Sequence, residues 1–126
     1  MNDIYKFLKL LDIYEDDKVV LACSYGPDSM ALLDILIKLN FDVIVAHVNH
    51  KLRKESDKEC EDLAKYCKER NIIFETTTID EYPKGNTEAY ARTFRYNYFK
   101  EIMARYNAKY LFTAHHGDDL IETILM

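Results

Sequence analysis

The stretch KVVLACSYGPDSMALLD, residues 18–34, reads as a buried strand that runs into a polar turn and then into an amphipathic helix. Val19, Val20, Leu21 and Ala22 form a short continuous apolar run, the pattern of a parallel strand covered on both faces. Ser24, Tyr25, Gly26, Pro27, Asp28 and Ser29 supply turn chemistry. Pro27 has a fixed φ and no amide donor, which suits a first helical turn, and Met30, Leu33 and Ile37 follow at helical spacing. A junction of this kind aims a helix N-terminus and several backbone amides at one point, and anions bind there. No Gly-Lys followed by Ser or Thr closes the turn, and its single glycine also excludes the dinucleotide fingerprint.

Working outward, the same alternation repeats. Residues 41–48 read as a second strand that ends in His47, Asn49 and His50, ahead of the basic group Lys51, Arg53 and Lys54. Residues 56–70 read as a helix with Cys60, Leu63, Ala64 and Cys67 along its inner stripe, and residues 72–78 as a strand rich in β-branched side chains. Pro83 and Gly85 break the pattern before a long helix over 87–106, on which Ala91, Phe94, Tyr98 and Ile102 share a face. A fourth strand is expected over 110–114, and a further helix from Asp118, cut off at Met126. Residues 2–13 place Ile4, Phe7, Leu8 and Leu11 at helical spacing, an opening helix with a structural role.

Strands alternating with helices at this spacing pair in parallel through right-handed crossovers. The expected fold is therefore α/β: an open, doubly wound, Rossmann-like parallel sheet, with helices on both faces and truncated at the C-terminus. Ligands of such sheets bind beyond the carboxyl ends of the strands, where strand order reverses. With the order 3-2-1-4, the turn 24–29 faces the segment 115–119 across that switch. A phosphate-cradling turn opposite carboxylates suits a nucleotide with Mg²⁺, which takes one or two carboxylates plus phosphate oxygens.

Each of these segments also has a plainer reading. Asp119 with Glu122 three residues on makes a capping box, and acidic residues in a first turn complement the helix dipole. Asp118 and Glu122, four apart, share one helical face. The paired histidines 115 and 116 lack the spacing of a zinc site. Arg92 and Arg95 fit either an exposed helix laced by a Glu88–Arg92 pair or a bidentate phosphate site. Tyr90, Tyr96, Tyr98 and Tyr106 offer stacking surfaces for bases or packing with hydroxyls at the rim.

The whole chain has 126 residues, 48% of them hydrophobic, enough for one core and too few for two domains. Its 22 acidic residues against 17 basic ones give a charge of −5, which excludes a basic nucleic-acid-binding module; a polyanionic partner needs a local patch or another part of the protein. No apolar run approaches about 20 residues and no charged-then-apolar leader opens the chain, so no membrane partner is expected and residence is cytoplasmic. Cys23, Cys60 and Cys67 are an odd set without CxxC spacing, which reads as reduced packing residues.

The turn resembles the SGGxDS signature of the PP-loop ATP pyrophosphatases, or adenine nucleotide alpha hydrolase-like domains. Ser24, Gly26, Asp28 and Ser29 match, and Tyr25 stands where the family usually has its first glycine. A glycine there permits close backbone approach to phosphate, whereas a tyrosine needs an ordinary φ or room for its ring. Together with AHVNHKLRKESDKE (46–59), GNTEAYARTFRYNYF (85–99) and TAHHGDDLIET (113–123), the chain resembles the N-terminal catalytic domain of the bacterial tRNA(Ile)-lysidine synthases from Lys18 onward.

That resemblance implies an ATP-dependent ligase. Its members adenylate carbon 2 of the wobble cytidine of tRNA(Ile) and let the amine of free lysine displace AMP, giving lysidine. It implies ATP contacts from Ser24, Tyr25, Gly26, Pro27, Asp28 and Ser29, with backbone of Ala46 and Val48 at adenine. It implies catalytic roles for Asp28, Arg92, Arg95 and His116, lysine or metal binding by Asp118, Asp119 and Glu122, and Mg²⁺ held through Asp28 and Asp118. Leu120 departs from a common glutamine of the family. The partners implied are tRNA(Ile) and lysine, often with a dimeric enzyme. Residues 1–126 are then the ATP-binding catalytic domain, and tRNA-binding domains are expected after it. The alternatives are a PP-loop tRNA thiolase, which needs a catalytic cysteine, and a non-catalytic adenine-nucleotide-binding domain.

Overall fold

The computed structural model describes residues 17–114 and 121–125. In chain order the elements are β1 (Lys18–Ala22), α1 (Pro27–Lys38), β2 (Asp42–Asn49), α2 (Ser56–Glu69), β3 (Ile73–Thr78), α3 (Thr87–Tyr106), β4 (Tyr110–Ala114) and β5 (Ile121–Leu125). The strands form one sheet in the order β3-β2-β1-β4-β5. The first four run parallel: Val20 lies beside Ile44 on one side and Leu111 on the other, and Val45 beside Phe74. The reversal of strand order thus falls between β1 and β4, the place that the order 3-2-1-4 gives it.

Two apolar layers clamp this sheet. Val19, Leu21, Val43, Val45 and Phe112 pack under α1 and α2 with Leu33, Leu36, Leu63 and Cys67; Val20, Ile44, Ala46 and Leu111 pack under α3 with Phe99, Ile102 and Met103. Alternation along each strand therefore feeds both faces, which is why β1 is apolar at every position after Lys18. On α3 the buried face is Ala91, Phe99, Ile102 and Met103, with Phe94 and Tyr98 at its margin. The face is turned slightly from the expected one because Phe99 and Met103 are buried where Phe94 and Tyr98 are only partly so.

The three helices among the described residues close in the same way. Asn40, Asn71 and Asn107 have φ of 65°, 57° and 56°. The next residue in each case, Phe41, Ile72 or Ala108, returns its amide to the carbonyl of Leu36, Cys67 or Met103. This is the Schellman arrangement, with asparagine in the left-handed position where glycine is commonest.

One expectation is corrected. The pattern read residues 118–126 as a helix, whereas Ile121–Leu125 is a strand antiparallel to β4, with Glu122 beside Thr113. Ile121, Thr123 and Ile124 are β-branched, and the outer edge of β4 offers a row of backbone donors and acceptors to pair. Residues 118–120 and 126 of that expected helix, and the whole opening helix over 2–13, lie outside the described residues. Among the described residues no helix is long and apolar enough to cross a membrane.

Candidate functional site

The turn between β1 and α1 is knitted by two serines. Ser29, buried on the first turn of α1, donates its hydroxyl to the Gly26 carbonyl at 3.1 Å and accepts the Ser24 amide at 3.3 Å. Its one proton is thereby committed, so at the 3.3 Å contact between the two hydroxyls Ser24 is the donor, while Ser24 Oγ accepts the Gly26 amide at 3.3 Å. A Cβ on Gly26 would stand 3.3 Å from Ser24 Oγ, tighter than most real contacts. Pro27 occupies the first helical position, and the first helical bond runs from the Met30 amide to the Gly26 carbonyl. The amides of the first helical turn, before Met30, have no carbonyl within the helix to bond, and Asp28 stands in the same turn.

Tyr25 takes φ of 66°. The left-handed conformation that a glycine would adopt freely is thus kept by a tyrosine, at a cost of about 1–2 kcal/mol. Its ring is partly buried and packs against the first core layer.

A cleft of about 570 Å³ opens over the carboxyl ends of β1, β2 and β4, within the range of small-molecule sites. Ala22, Ser24 and Ser29 line it from β1 and the turn, His47, Val48, Asn49 and His50 from the end of β2, and Thr113 from β4. One wall is Leu52, Arg53, Ser56 and Glu59; the other is Arg95, Tyr96 and Phe99. Arg53 is tied to Glu59 at 2.7 Å. Asn49 Nδ2 donates to Asp57 at 2.8 Å while its Oδ1 accepts the Lys51 amide at 3.0 Å, which fixes the loop leaving β2. Arg95 has no ion-pair partner among the described residues, so its guanidinium is a donor-only group on the wall.

Two imidazoles belong to this cleft, and their protons can be assigned. His47 Nδ1 lies 2.7 Å from the Cys23 carbonyl, which can only accept, so Nδ1 carries the proton. Tyr82 donates its hydroxyl to the His50 carbonyl at 2.8 Å; at the 3.4 Å contact with His50 Nδ1 the ring nitrogen is therefore the donor. Burial, followed by the positive charge of Arg95 and by His47, holds His50 below its ordinary value of 6.5. At neutral pH it is an uncharged ring with Nε2 left as an acceptor.

The sequence-predicted residues divide accordingly. Ser24, Ser29, Val48 and Arg95 line one cleft, with Tyr25, Gly26, Pro27 and Asp28 in the turn at its edge. Ala46 sits one pair deeper in the sheet, where its carbonyl accepts the Cys23 amide at 3.0 Å. Arg92 lies outside the lining, its guanidinium 5.5 Å from the Tyr96 ring centroid, and no Glu88–Arg92 pair forms among the described residues. His116, Asp118 and Asp119 lie outside the described residues, and of Glu122 only the backbone position in β5 is described. Among the described residues no group of three or more His, Cys, Asp or Glu side chains is placed to hold a metal.

Ser56, Glu59 and Phe99 also line the cleft without a site reading in the sequence, whereas Tyr96, one of the four candidate stacking rings, does reach it. The signal available was spacing: Ser56 and Glu59 share the first turn of α2, and Phe99 lies one turn beyond Arg95. The thiols stand apart from the cleft chemistry. Burial pushes the Cys23 thiol up and the Cys67 thiol up to about 12, and Cys60 contacts Thr76 Oγ1 at 3.5 Å.

The model of the family described as PP-loop domain matches residues 1–126. The tRNA(Ile)-lysidine synthase of Enterococcus faecalis is 48% identical over 113 residues, 86% of this chain and 24% of that protein. That of Bacillus subtilis is 44% identical over 117 residues, again 86% of this chain and 25% of that protein. The chain thus spans about a quarter of the length of these relatives. Among solved structures, the U34-tRNA thiolase NcsA from Methanococcus maripaludis with its [4Fe-4S] cluster has a TM-score of 0.68 at 17% identity, covering 81% of this chain and 39% of that one. This last likeness concerns the fold. With the family model matched over its whole length, the chain belongs to the PP-loop domain family.

Proposed function

We propose that this chain is the ATP-binding, adenylating part of a tRNA(Ile)-lysidine synthase. The observation that carries the reading is the serine-knitted turn at the open N-terminus of α1, beside a cleft bordered by Arg95. Outward-pointing amides and one cation suit a triphosphate, and close likeness to named synthases supports the same substrate. The 2-oxo group of the wobble cytidine attacks the α-phosphorus of ATP and pyrophosphate leaves. The lysine ε-amine then attacks carbon 2 and AMP departs with the oxygen.

Charge developing on phosphorus is met by fixed amides and Arg95 rather than by a covalent nucleophile. Asp28, with Asp118, is the carboxylate set proposed for Mg²⁺, a hard cation that accepts one or two carboxylates and phosphate oxygens. When bound, the ion neutralises phosphate charge. Asp119, Glu122 and His116 are proposed for the lysine side of the site, and Arg92 supports the outer margin.

The thiolase alternative is disfavoured by the thiols themselves, since Cys23 and Cys67 are buried and held protonated and Cys60 does not line the cleft. The test is an assay of the full-length protein for pyrophosphate release with ATP, tRNA(Ile) and lysine, with labelled lysine followed into RNA. The reading expects release that depends on the tRNA and label in the tRNA. Release without incorporation, or sulfur transfer to the tRNA, would overturn it.

A further inference from the structure

The β1–β2 pairing ends at Ala22 and Ala46. Cys23 therefore lies one residue past the ladder, yet both of its backbone groups are held by β2: its amide by the Ala46 carbonyl at 3.0 Å, its carbonyl by the side chain of His47 at 2.7 Å. The imidazole is itself fixed. It is 6% exposed, it stacks on Phe74 at 6.4 Å with 26° between the planes, and its own carbonyl accepts the Thr76 hydroxyl at 3.0 Å.

A peptide unit is planar, so fixing the Cys23 carbonyl also fixes the direction of the Ser24 amide on its other side. That amide is the one that reaches Ser29 Oγ, and Ser29 in turn holds the Gly26 carbonyl. The contacts inside the turn are long, 3.1–3.3 Å, whereas the bond from His47 is short. The orientation of the turn is thus set from below, along a line of bonds from β3 through His47 to the Cys23–Ser24 peptide.

We propose that His47 is a positioning residue for the phosphate-binding turn, its Nδ1–H holding the Cys23–Ser24 peptide so that the turn's amides face the triphosphate. The inference rests on the reading of residues 24–29 as the ATP phosphate site. It predicts that His47 matters for the phosphates and not for the nucleoside.

The test compares binding of ATP with Mg²⁺ and of adenosine by calorimetry, on the full-length protein, with thermal unfolding measured alongside. In His47→Ala and His47→Gln the ATP Kd should rise about three- to tenfold, the range for losing one neutral hydrogen bond, with adenosine within about twofold of wild type. In His47→Asn the side-chain amide stands where Nδ1 stood, and ATP affinity should return to within about twofold. Wild-type ATP affinity in His47→Gln or His47→Ala, equal losses for ATP and adenosine, or an asparagine variant no better than glutamine would each overturn the inference. Should wild type bind ATP no more tightly than adenosine, the phosphate-site reading itself fails, and His47 with it.

Discussion

Tyr25 allows the backbone of the proposed phosphate turn to be tested separately from its side chains. Its φ of 66° places an L-residue in the left-handed region, while its ring contributes packing against the first core layer. Replacing it by glycine alone would mix lost packing with relieved strain, so the informative comparison is Tyr25→Ala against Tyr25→Gly. Both remove the ring, and they differ only by a Cβ at this φ. The left-handed conformation costs a residue with a Cβ about 1–2 kcal/mol. Glycine gives back about 0.5–1 kcal/mol through its greater freedom in the unfolded chain. The glycine variant should therefore be more stable than the alanine variant by about 0.5–1 kcal/mol, a rise of roughly 2–5 °C in Tm for a domain of this size. Urea unfolding of both variants at one temperature reads the difference directly. An alanine variant as stable as the glycine one, or more so, would refute the claim that the turn needs a left-handed residue at position 25.

Asn71→Gly should stabilise the protein by up to about 1 kcal/mol, since the position is a left-handed helix terminus; a loss in denaturant midpoint would contradict the cap assignment. Arg95→Ala should cost about ten- to a hundredfold in kcat/KM for pyrophosphate release, as expected for a lost charged hydrogen bond, with Arg95→Lys recovering only part. Arg92→Ala should cost less, because that guanidinium lies over Tyr96 beside the cleft; the reverse order of effects would count against the wall as described. The folded pKa of His50 is depressed, so the unfolded chain takes up the proton first as pH falls. Its contribution to stability is complete above 6.5 and is lost on acidification toward the folded value. His50→Gln should therefore flatten the fall in Tm between about pH 7 and pH 5, and an unchanged slope would refute the assignment. Alkylation at about pH 8 should modify Cys60 well before Cys23 and Cys67, whose thiols are held protonated by burial; mass-spectrometric mapping decides the order.

The architecture was legible where one physical signal dominated. Continuous apolar strands such as 19–22 cannot tolerate a wet face, and 3.6-residue spacing in 87–106 has no strand reading, so the strand order and both layers could be anticipated. The segment 121–125 shows the opposite case. Asp119 and Glu122 carry helix-start chemistry, but Ile121, Thr123 and Ile124 favour a strand, and the decision fell to the unpaired edge of β4, a tertiary fact with no local trace. The asparagine caps were written plainly at the ends of the helical runs, although asparagine alone occurs in too many turns to announce them.

Within the site, turn residues were legible because Ser, Gly, Pro and Asp have specific backbone uses. Arg95 was separable from Arg92 only by structure, since both lie on α3 three residues apart and the rotation of the helix decides which one meets the cleft. His47 was visible as a residue at a strand end, but its part depends on a carbonyl 24 positions earlier in the chain. Sequence spacing encodes what neighbours on one element share, and this bond joins two elements through the sheet. The same reasoning explains why the turn can be built from long contacts. Buried strands supply rigidity beneath it, and the two serines need only complete the hydrogen bonding of the Ser24 and Gly26 amides and the Gly26 carbonyl.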